Sequence, residues 1–449
     1  MGRAKNILLI NPWIYDFAAY DFWMKPLGLL YVASLVRRFT PHRVSFIDCL
    51  DRFHPGLAGL PVGKSDGRGQ FPKEEVPKPG PVRDVPRRFS RYGIPIALFE
   101  DELARAPQPD AVLVTSGMTY WYPGIQAVVD LVRARFGSVP IVLGGIYATL
   151  CPGHARSASG ADLVVPGPAE TGLLEALAGV LGGAAPAGPD LSAPGDLPAP
   201  AFDLIRDRTW LPVLTSRGCP LSCTYCASSL LWTGFTQRPA ASVLAEILDD
   251  RARFGTRHFA FYDDALLPGK TGHAWPLFEG LAAAGPPPAL HAPNGLHLRE
   301  IDAATARLMR AAGFESLYLS LESTDEDLMR RRGPKASPAD LESALRALEA
   351  AGYDRRAVAV YLIVGLPGQS LTAVAESVAY VRGLGAAPRV AYFSPIPGTA
   401  EWAALVGSGV LADDVDPLLH NKTAFAYLKS GVPPDATGSL MRAPARGPS

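Results

Sequence analysis

Three of the five cysteines lie within a segment of eight residues, at Cys219, Cys223 and Cys226. This C-x3-C-x2-C spacing brings three thiolates close enough to take one iron each of a cubane four-iron, four-sulfur (4Fe-4S) cluster. Because no fourth cysteine follows nearby, one iron would keep an open coordination position, which indicates catalysis. The low, odd and clustered cysteine count favours a reducing compartment over a disulfide framework.

Two other uses of these cysteines are less favoured. A structural zinc site needs four protein ligands in paired spacing, and the nearest candidates for a fourth ligand, Cys151 and His258, are far along the chain. Inert packing of the three thiols is disfavoured because their neighbours, such as Gly218 and Pro220, are loop formers. Cys151 and Cys49 themselves are expected to be ordinary buried cysteines.

The second half of the chain alternates β-rich runs with helical patterns. The predicted strands are WLPVLTS (210–216), HFAFYDD (258–264), ALHAPNG (289–295), SLYLSLES (316–323), VAVYLIVG (358–365) and RVAYFSP (389–395). Six strand-helix units predict a partial (β/α)6 barrel of the TIM type. The cysteines follow the first strand, at the carboxyl edge where the active sites of such folds gather.

The first half predicts an open, doubly wound parallel sheet of the Rossmann or flavodoxin type. Its strands are ILLIN (7–11), VSFID (44–48), AVLVTS (111–116), PIVLGG (140–145) and DLVVPG (162–167). Residues 52–95 are rich in Gly, Pro, Lys and Arg and are predicted to be one long loop that covers a site.

Composition shifts along the chain predict the domain boundaries. The first domain is expected over 1–182, a linker over 183–204, the barrel over 205–405 and a C-terminal extension over 406–449, with a disordered tail from about residue 431.

Charge and hydropathy narrow the class of protein further. Lys and Arg number 43 and Asp and Glu also number 43, so no net field draws the chain to nucleic acid or to a membrane surface. No apolar run approaches the roughly 20 residues of a membrane-spanning helix, and the amino terminus lacks a signal-peptide core. We therefore expect a cytoplasmic protein whose substrate is a small molecule or a peptide of unknown identity.

The cysteine spacing, with Tyr225 before the last cysteine and on the first loop of a partial barrel, resembles the radical S-adenosylmethionine (SAM) superfamily. The resemblance implies that Cys219, Cys223 and Cys226 ligate a 4Fe-4S cluster whose unique iron chelates the methionine part of SAM. One electron, from a donor such as flavodoxin or ferredoxin, then releases a 5′-deoxyadenosyl radical. The resemblance covers about residues 205–405.

Polar residues and glycines follow the later strands of the predicted barrel in the order that the resemblance implies. The SAM-binding residues expected on this basis are Tyr225 near the adenine, Asp263 and Asp264 at the amino group, Asn294 at the end of the third strand, Ser320 and Glu322 at the ribose, and Gly365 beside the adenosyl group. The two aspartates could instead cap the next helix. Glu322 would point into the barrel, where an unpaired carboxylate is costly, so a ligand explains it better. No catalytic residue is predicted.

Three segments of the first half, NPW, KPLGLLYVASLVRR and VLGGIYATLCPGHA, resemble the cobalamin-binding domain fused to many radical SAM enzymes. The resemblance implies cobalamin contacts at Thr115, Ser116, Gly144 and Gly145. The cobalt-binding pattern D-x-H-x-x-G is absent, and His54 in the sequence DRFHPG has a different spacing, so it is not expected to ligate cobalt. The domain could alternatively be a relic or recognise the substrate.

Together these patterns predict a radical SAM enzyme, most plausibly one that methylates an unactivated carbon with the help of cobalamin. The alternative within enzymes is a rearrangement, cyclisation or other modification without methyl transfer. A non-catalytic iron-sulfur scaffold ranks lower, because it predicts loss of the later SAM motifs and they are present in order.

Overall fold

The computed structural model describes residues 3–57, 63–189, 197–333, 335–430 and 438. The chain divides into two compact units, one of Met1–Arg208 with Asp416–Leu419 and one of Thr209–Val415 with His420–Ser449. The predicted tail from about residue 431 lies outside the described residues apart from Gly438, and so do residues 190–196 of the predicted linker. None of the described helices combines the length and the hydrophobicity that a membrane crossing requires.

The first unit is built on a parallel sheet of five strands in the order β3-β1-β6-β7-β8. These strands are β1 (Asn6–Asn11), β3 (Arg43–Asp48), β6 (Ala111–Val114), β7 (Ile141–Leu143) and β8 (Leu163–Val164). The helices are α1 (Leu27–Phe39), α2 (Ile96–Arg105), α3 (Tyr122–Phe136), α4 (Ile146–Leu150), α5 (Pro152–Ala158) and α6 (Ala169–Leu181). The strand order is that of the flavodoxin-like sheet, so the predicted fold class is confirmed.

Both faces of this sheet are covered. Ile7 and Leu9 of β1 pack with residues of α1 and α6 in one apolar core, whereas the alternate residues Leu8 and Ile10 are equally buried on the other face. Continuous apolar runs such as ILLI arise because a parallel strand is buried on both sides. The topological switch point, where ligands of such sheets bind, lies beyond the carboxyl ends of β1 and β6.

The segment 52–95 is not the single irregular loop that its composition predicts. It contributes β4 (Lys73–Glu75) and β5 (Ser90–Tyr92), which form a three-stranded antiparallel sheet with β2 (Ile14–Asp16). Buried aromatic residues such as Phe71 and Phe89 anchor it, so a few well-spaced apolar side chains outweigh the surrounding glycines and prolines.

The second unit is a parallel sheet of six strands whose spatial order follows the chain. The strands are β9 (Trp210–Val213), β12 (His258–Phe261), β13 (Ala289–Leu296), β14 (Phe314–Glu322), β15 (Ala359–Val364) and β16 (Ala387–Tyr392). Between β9 and β12 along the chain, β10 (Ser216–Arg217) and β11 (Thr236–Gln237) form a separate hairpin. The helices are α7 (Ser228–Leu231), α8 (Ala240–Phe254), α9 (Ala274–Ala283), α10 (Ala303–Ala312), α11 (Glu326–Arg332), α12 (Pro338–Ala350), α13 (Leu371–Gly383), α14 (Ala400–Gly407) and α15 (Lys422–Leu428). The predicted TIM-like character is confirmed.

Polar caps begin most helices that return from the carboxyl edge of this sheet. Asp302, Asp325, Ser370 and Thr399 each accept a hydrogen bond from a backbone N–H in the first turn of α10, α11, α13 and α14. Ser337 forms a reciprocal capping box at the start of α12. These caps end the preceding loops at defined residues, which fixes the loops that carry the candidate site.

Short 3₁₀ helices complete the described structure. They span Pro55–Leu57, Gly80–Val82, Thr119–Trp121, Phe202–Leu204, Leu298–Glu300, Arg355–Ala357 and Pro417–His420.

Candidate active site

A short hairpin closes the base of the loop that carries the three cysteines. β10 pairs with β11 in antiparallel register, so residues 218–235 project as one loop beyond β9. Gly218 has a φ of 76°, and a Cβ there would lie 2.0 Å from the carbonyl oxygen of Gly234. Only glycine lets the two ends of the loop approach this closely.

Asp263 holds the chain just before this loop. Its carboxylate accepts hydrogen bonds from the backbone N–H of Thr215 at 3.1 Å, from Thr215 Oγ1 at 2.7 Å and from Ser216 Oγ at 2.6 Å. Burial raises the pKa of Asp263, and the hydrogen bonds from Ser216 and Thr215 act in the opposite direction. The carboxyl end of β12 is therefore tied to the start of the cysteine loop.

Residues from α11 and α14 support the middle of the loop. Thr224 donates from its backbone N–H to the carbonyl oxygen of Arg332 at 2.9 Å and from Oγ1 to Glu401 at 2.8 Å. Arg332 and Glu401 also form an ion pair. A Cβ on Gly333 would lie 3.0 Å from the Cα of Cys223, so this glycine permits close packing against the loop.

The three thiols share one electrostatic environment. Burial raises the pKa of Cys219, Cys223 and Cys226, and the Lys335 ammonium acts in the opposite direction on each. His297 Nε2 lies 3.9 Å from Cys219 Sγ, and its Nδ1 is buried with no hydrogen-bond partner among the described residues. Burial and then the Lys335 charge lower the pKa of His297 to about 4, so the imidazole is neutral at pH 7.

The arrangement of the thiols fits an iron-sulfur cluster better than one ion. Zn–S bonds of about 2.3 Å place the sulfurs of a tetrahedral zinc site about 3.8 Å apart. In the described chain, the Sγ atoms of Cys219, Cys223 and Cys226 do not all lie within 4.8 Å of one another. Wider spacing suits three thiolates that each bind a different iron.

The paired aspartates, which the sequence could not separate, have different environments. Asp263 is buried and committed to the cysteine loop, whereas Asp264 is exposed and accepts a hydrogen bond of 2.5 Å from Ser228 Oγ. Although the side chain is accessible, partial desolvation of the carboxyl group by its neighbours raises the pKa of Asp264, an effect that the Ser228 hydrogen bond and the Lys335 charge oppose. Of the two, only Asp264 has a carboxylate available to a bound ammonium.

Asn294 and Ser320 lie at an irregularity of the sheet. Asn294 is exposed and donates to the carbonyl oxygen of Tyr262 at 2.8 Å, but it does not end its strand, which continues to Leu296. The register of β13 against β14 shifts between Ala292 and Leu296, because an extra stretch of β13 is accommodated there. Ser320 is buried.

Glu322 combines burial, charge and an unusual backbone. It is one of two non-glycine residues with positive φ in the described chain, at 71°, and it follows a register shift between β14 and β15. Its Oε1 accepts from Lys335 Nζ at 3.2 Å, and both side chains are largely buried. Strain of about 1 to 3 kcal/mol at such a residue persists where the surrounding structure and the function require that geometry.

Tyr225 and Gly365 complete the predicted set. Tyr225 packs against an apolar cluster that includes Leu328, Leu366 and Trp402, and burial followed by the Glu322 charge raises the pKa of its hydroxyl. Gly365 has a φ of 86°, and a Cβ there would meet no atom within 4 Å. The space beside Gly365 is open, as close approach of a ligand to the backbone requires.

The structure thus gathers the three thiols and two of the residues predicted for SAM, Asp264 and Glu322, around one cation. Lys335 is paired with Glu322 and acts on the pKa of Asp264 and of all three thiols. Sequence reasoning missed Lys335, His297, Thr224 and Glu401. Of these four residues, only His297 had a signal in the sequence, because it directly follows the third strand of the barrel.

The predicted cobalamin residues form a second cluster, at the carboxyl edge of the first sheet. Ser116 is buried, and its Oγ donates to the carbonyl oxygen of Gly144 at 2.6 Å. Gly145 has a φ of 94°, and a Cβ there would lie 2.4 Å from the carbonyl oxygen of Ser116, so packing within the domain requires this glycine. Thr115 is only partly buried beside the switch point.

Gly144 differs from Gly145, because packing does not account for it. Its Cβ would have no neighbour closer than 3.8 Å, and the residue is partly exposed. Open space at the end of β7, next to the switch point, fits a bound group such as the corrin or its nucleotide tail. The residues present therefore fit cobalamin.

Two further polar clusters lie at or after the carboxyl ends of β1 and β3. Asn11, at the end of β1, donates to Asp48 at 2.7 Å, and burial followed by the Asp51 charge raises the pKa of Asp48 to about 7. Both ring nitrogens of His54 have partners, Glu102 at 2.9 Å and the N–H of Gly56 at 3.0 Å. This geometry agrees with the expectation that His54 does not ligate cobalt.

Comparisons with known proteins match the two parts of the chain to two different domain families. Residues 213–381 match the radical SAM superfamily, and residues 96–177 match the B12 binding domain. The chain is 24% identical over 417 residues to the uncharacterized methyltransferase PH0819 of Pyrococcus horikoshii, covering 86% of this chain and 79% of the relative. It is 27% identical over 178 residues to the cytidylyl-2-hydroxyethylphosphonate methyltransferase of Streptomyces wedmorensis, covering 38% of this chain and 32% of that protein.

A solved structure shares the fold of most of the chain. The radical SAM methyltransferase TsrM from Kitasatospora setae, with tryptophan and a SAM analogue bound, superposes with a TM-score of 0.65 at 16% identity. The similarity covers 90% of this chain and 76% of TsrM. Residues 213–381 therefore carry a radical SAM domain and residues 96–177 a B12-binding domain, and the chain is an enzyme whose cofactors are a 4Fe-4S cluster, SAM and cobalamin.

Proposed function

We propose that the enzyme transfers a methyl group from SAM to an unactivated carbon of a small-molecule or peptide substrate. The observation that carries this proposal is the occurrence, in one chain, of a three-thiol loop at the carboxyl edge of a barrel and a B12-binding domain. Two relatives that are named methyltransferases support it. When bound, the cluster and SAM supply hydrogen abstraction, and cobalamin supplies methyl transfer.

The chain's own residues bind and orient SAM in this proposal. Cys219, Cys223 and Cys226 hold the cluster. The exposed carboxylate of Asp264 accepts hydrogen bonds from the methionine ammonium, and Glu322 accepts them from the ribose hydroxyls. Asp263 acts as a positioning residue, because its oxygens are already used by the cysteine loop.

Other groups shape the surroundings of SAM. Tyr225, Asn294, Ser320 and Gly365 line the same end of the barrel and contact the adenosyl part. The apolar side chains packed around Tyr225 exclude water from the place where a reactive species would form. Thr115, Ser116, Gly144 and Gly145 contact cobalamin. An external one-electron donor of the flavodoxin or ferredoxin type reduces the cluster.

The products of SAM distinguish methyl transfer from the alternative chemistries. Loss of the methyl group leaves S-adenosylhomocysteine, whereas reductive cleavage leaves methionine and 5′-deoxyadenosine. The cluster-loaded, cobalamin-loaded enzyme is incubated with SAM carrying a deuterated methyl group, a strong reductant and candidate acceptors, and both products are quantified by mass spectrometry. We expect both products together with a deuterated methyl group on an acceptor carbon.

Each other outcome has a defined meaning. Deoxyadenosine without S-adenosylhomocysteine would replace methyl transfer by a rearrangement, cyclisation or other modification. Neither product from an enzyme with a full cluster would favour a non-catalytic scaffold. Deoxyadenosine from a protein that retains no corrin would remove cobalamin from the mechanism.

The assigned role of Glu322 predicts a selective loss of SAM affinity. Glu322→Gln keeps the size of the side chain but removes the charge that ribose hydroxyls favour, so we expect SAM to bind about 10-fold to 100-fold more weakly. Equilibrium dialysis on the cluster-loaded protein measures this change. The matched control is Glu326→Gln, at an exposed position of α11. Unchanged SAM affinity in Glu322→Gln, with a normal iron content, would remove Glu322 from the site.

A further inference from the structure

A second group of possible metal ligands lies at the opposite edge of the six-stranded sheet from the cysteines. His258 is the first residue of β12, His291 is the third residue of β13 and Glu315 is the second residue of β14. Asp263, at the active-site edge, follows His258 by five residues, or about 16 Å of extended chain at about 3.3 Å per residue. The group is thus distinct from the cysteine loop.

The pairing of the strands places the two imidazoles together. His258 pairs with Ala289 and Ala260 pairs with His291, so the two histidines are diagonal neighbours on one face of the sheet. Their rings are stacked, with centroids 5.3 Å apart, and His258 Nδ1 lies 3.1 Å from His291 Nε2. Two nitrogens bound to one zinc ion at about 2.0 to 2.1 Å lie about 3.3 Å apart when the geometry is tetrahedral.

An irregularity of β14 brings the third donor to the same place. Leu290 pairs with Phe314 and His291 with Ser316, so Glu315 is an extra residue with no counterpart in β13. A bulge of this kind redirects a side chain. One carboxylate oxygen of Glu315 and one nitrogen of each histidine all lie within 4.8 Å of one another.

The surroundings suit an ion that enters from solvent. His291 is buried, His258 is half-buried and Glu315 is exposed, so the group opens outward. His291 Nδ1 lies 3.0 Å from Ser316 Oγ, which orients the ring so that Nε2 faces His258 Nδ1. Metal-binding histidines are usually held in this way through their second nitrogen.

We propose that His258, His291 and Glu315 bind one divalent transition-metal ion of the zinc class, with water in the remaining coordination position. Two imidazoles and one carboxylate match the donor preference of Zn²⁺. The ion ties the amino-terminal ends of β12, β13 and β14 together. The site lies apart from the cysteine loop, and its three protein ligands leave one position open to water.

The test is zinc binding by the full-length protein with its 4Fe-4S cluster loaded, so that the cysteine thiols are occupied. The protein is dialysed against Zn²⁺ at several free concentrations, and bound zinc is counted by plasma emission. We expect the parent protein to bind one zinc ion per chain more than the double variant His258→Gln/His291→Gln binds. Ser316→Ala should lower the zinc affinity about 10-fold to 100-fold, because the ring of His291 loses its orienting partner.

Glu315→Gln keeps the proposal testable if the buried histidine variants fail to fold. This exposed change should lower the zinc affinity at least about tenfold, whereas Glu376→Gln, at an exposed position of α13, should leave it unchanged. Equal zinc binding by Glu315→Gln and Glu376→Gln, or no zinc at all in the parent protein, would overturn the proposal and leave a histidine pair joined by one hydrogen bond.

Discussion

Cys223→Ala is expected to remove the iron-sulfur cluster and to lower the formation of 5′-deoxyadenosine by at least about a thousandfold. Two thiolates cannot hold a cubane that needs three protein ligands to leave its unique iron open to SAM. Cys223 lies at the centre of the loop, with Tyr225, Gly333 and the Lys335 charge around it. Iron content, the visible absorption of the cluster and deoxyadenosine are measured after anaerobic reconstitution.

Cys151→Ala is the matched control for this change. Cys151 belongs to the first unit, is half-buried, and burial raises the pKa of its thiol to about 12. This variant should keep both the cluster and the deoxyadenosine of the parent protein. A Cys223→Ala protein that keeps full iron content and full deoxyadenosine would show that the cluster is bound elsewhere.

The cysteine loop and the strands were predictable because their signals are local. A buried parallel strand appears in the sequence as an apolar run. The C-x3-C-x2-C spacing by itself indicates three ligands of a cubane cluster. The observed strands β14 (Phe314–Glu322) and β15 (Ala359–Val364) lie within two residues of SLYLSLES (316–323) and VAVYLIVG (358–365).

The groups that surround the thiols were not predictable, because chain topology alone brings them together. Lys335 follows Cys223 by more than 100 residues, and Glu401 is more distant still, yet both bear on the cysteine loop. A lysine and a glutamate at such positions resemble ordinary surface charges in the sequence. Their roles depend on the loops that follow β14 and β16.

Backbone geometry explains the remaining differences. The positive φ of Glu322 and the bulge at Glu315 depend on strand register, which hydropathy patterns do not specify to one residue. The antiparallel sheet within 52–95 was missed because its strands are only three residues long.

The second large prediction concerns the adjacent aspartates Asp263 and Asp264. A loss of stability on substitution distinguishes the residue that positions the cysteine loop from the residue that binds SAM. Asp263→Ala removes the acceptor for the backbone N–H of Thr215 and for the hydroxyls of Thr215 and Ser216, all of which are buried. The two hydroxyls keep other partners, His273 Nε2 at 2.7 Å and the carbonyl oxygen of Ala265 at 3.3 Å, so the donor left unsatisfied is the buried N–H of Thr215, which costs about 1 to 3 kcal/mol. We expect the thermal unfolding midpoint of the barrel to fall by roughly 2 to 12 °C. The cysteine loop should then incorporate less iron on reconstitution.

Asp264→Ala is the matched control, since the neighbouring carboxylate is exposed and accepts a hydrogen bond from Ser228. Its unfolding free energy should change by less than about 1 kcal/mol, while SAM binds more weakly to the loaded cluster. Differential scanning calorimetry and equilibrium dialysis measure the two effects separately. If the two variants exchanged these behaviours, so that Asp263→Ala lost only SAM affinity and Asp264→Ala lost only stability, the assigned roles would be reversed. The comparison therefore decides which member of an adjacent acidic pair builds the site and which one binds the cofactor.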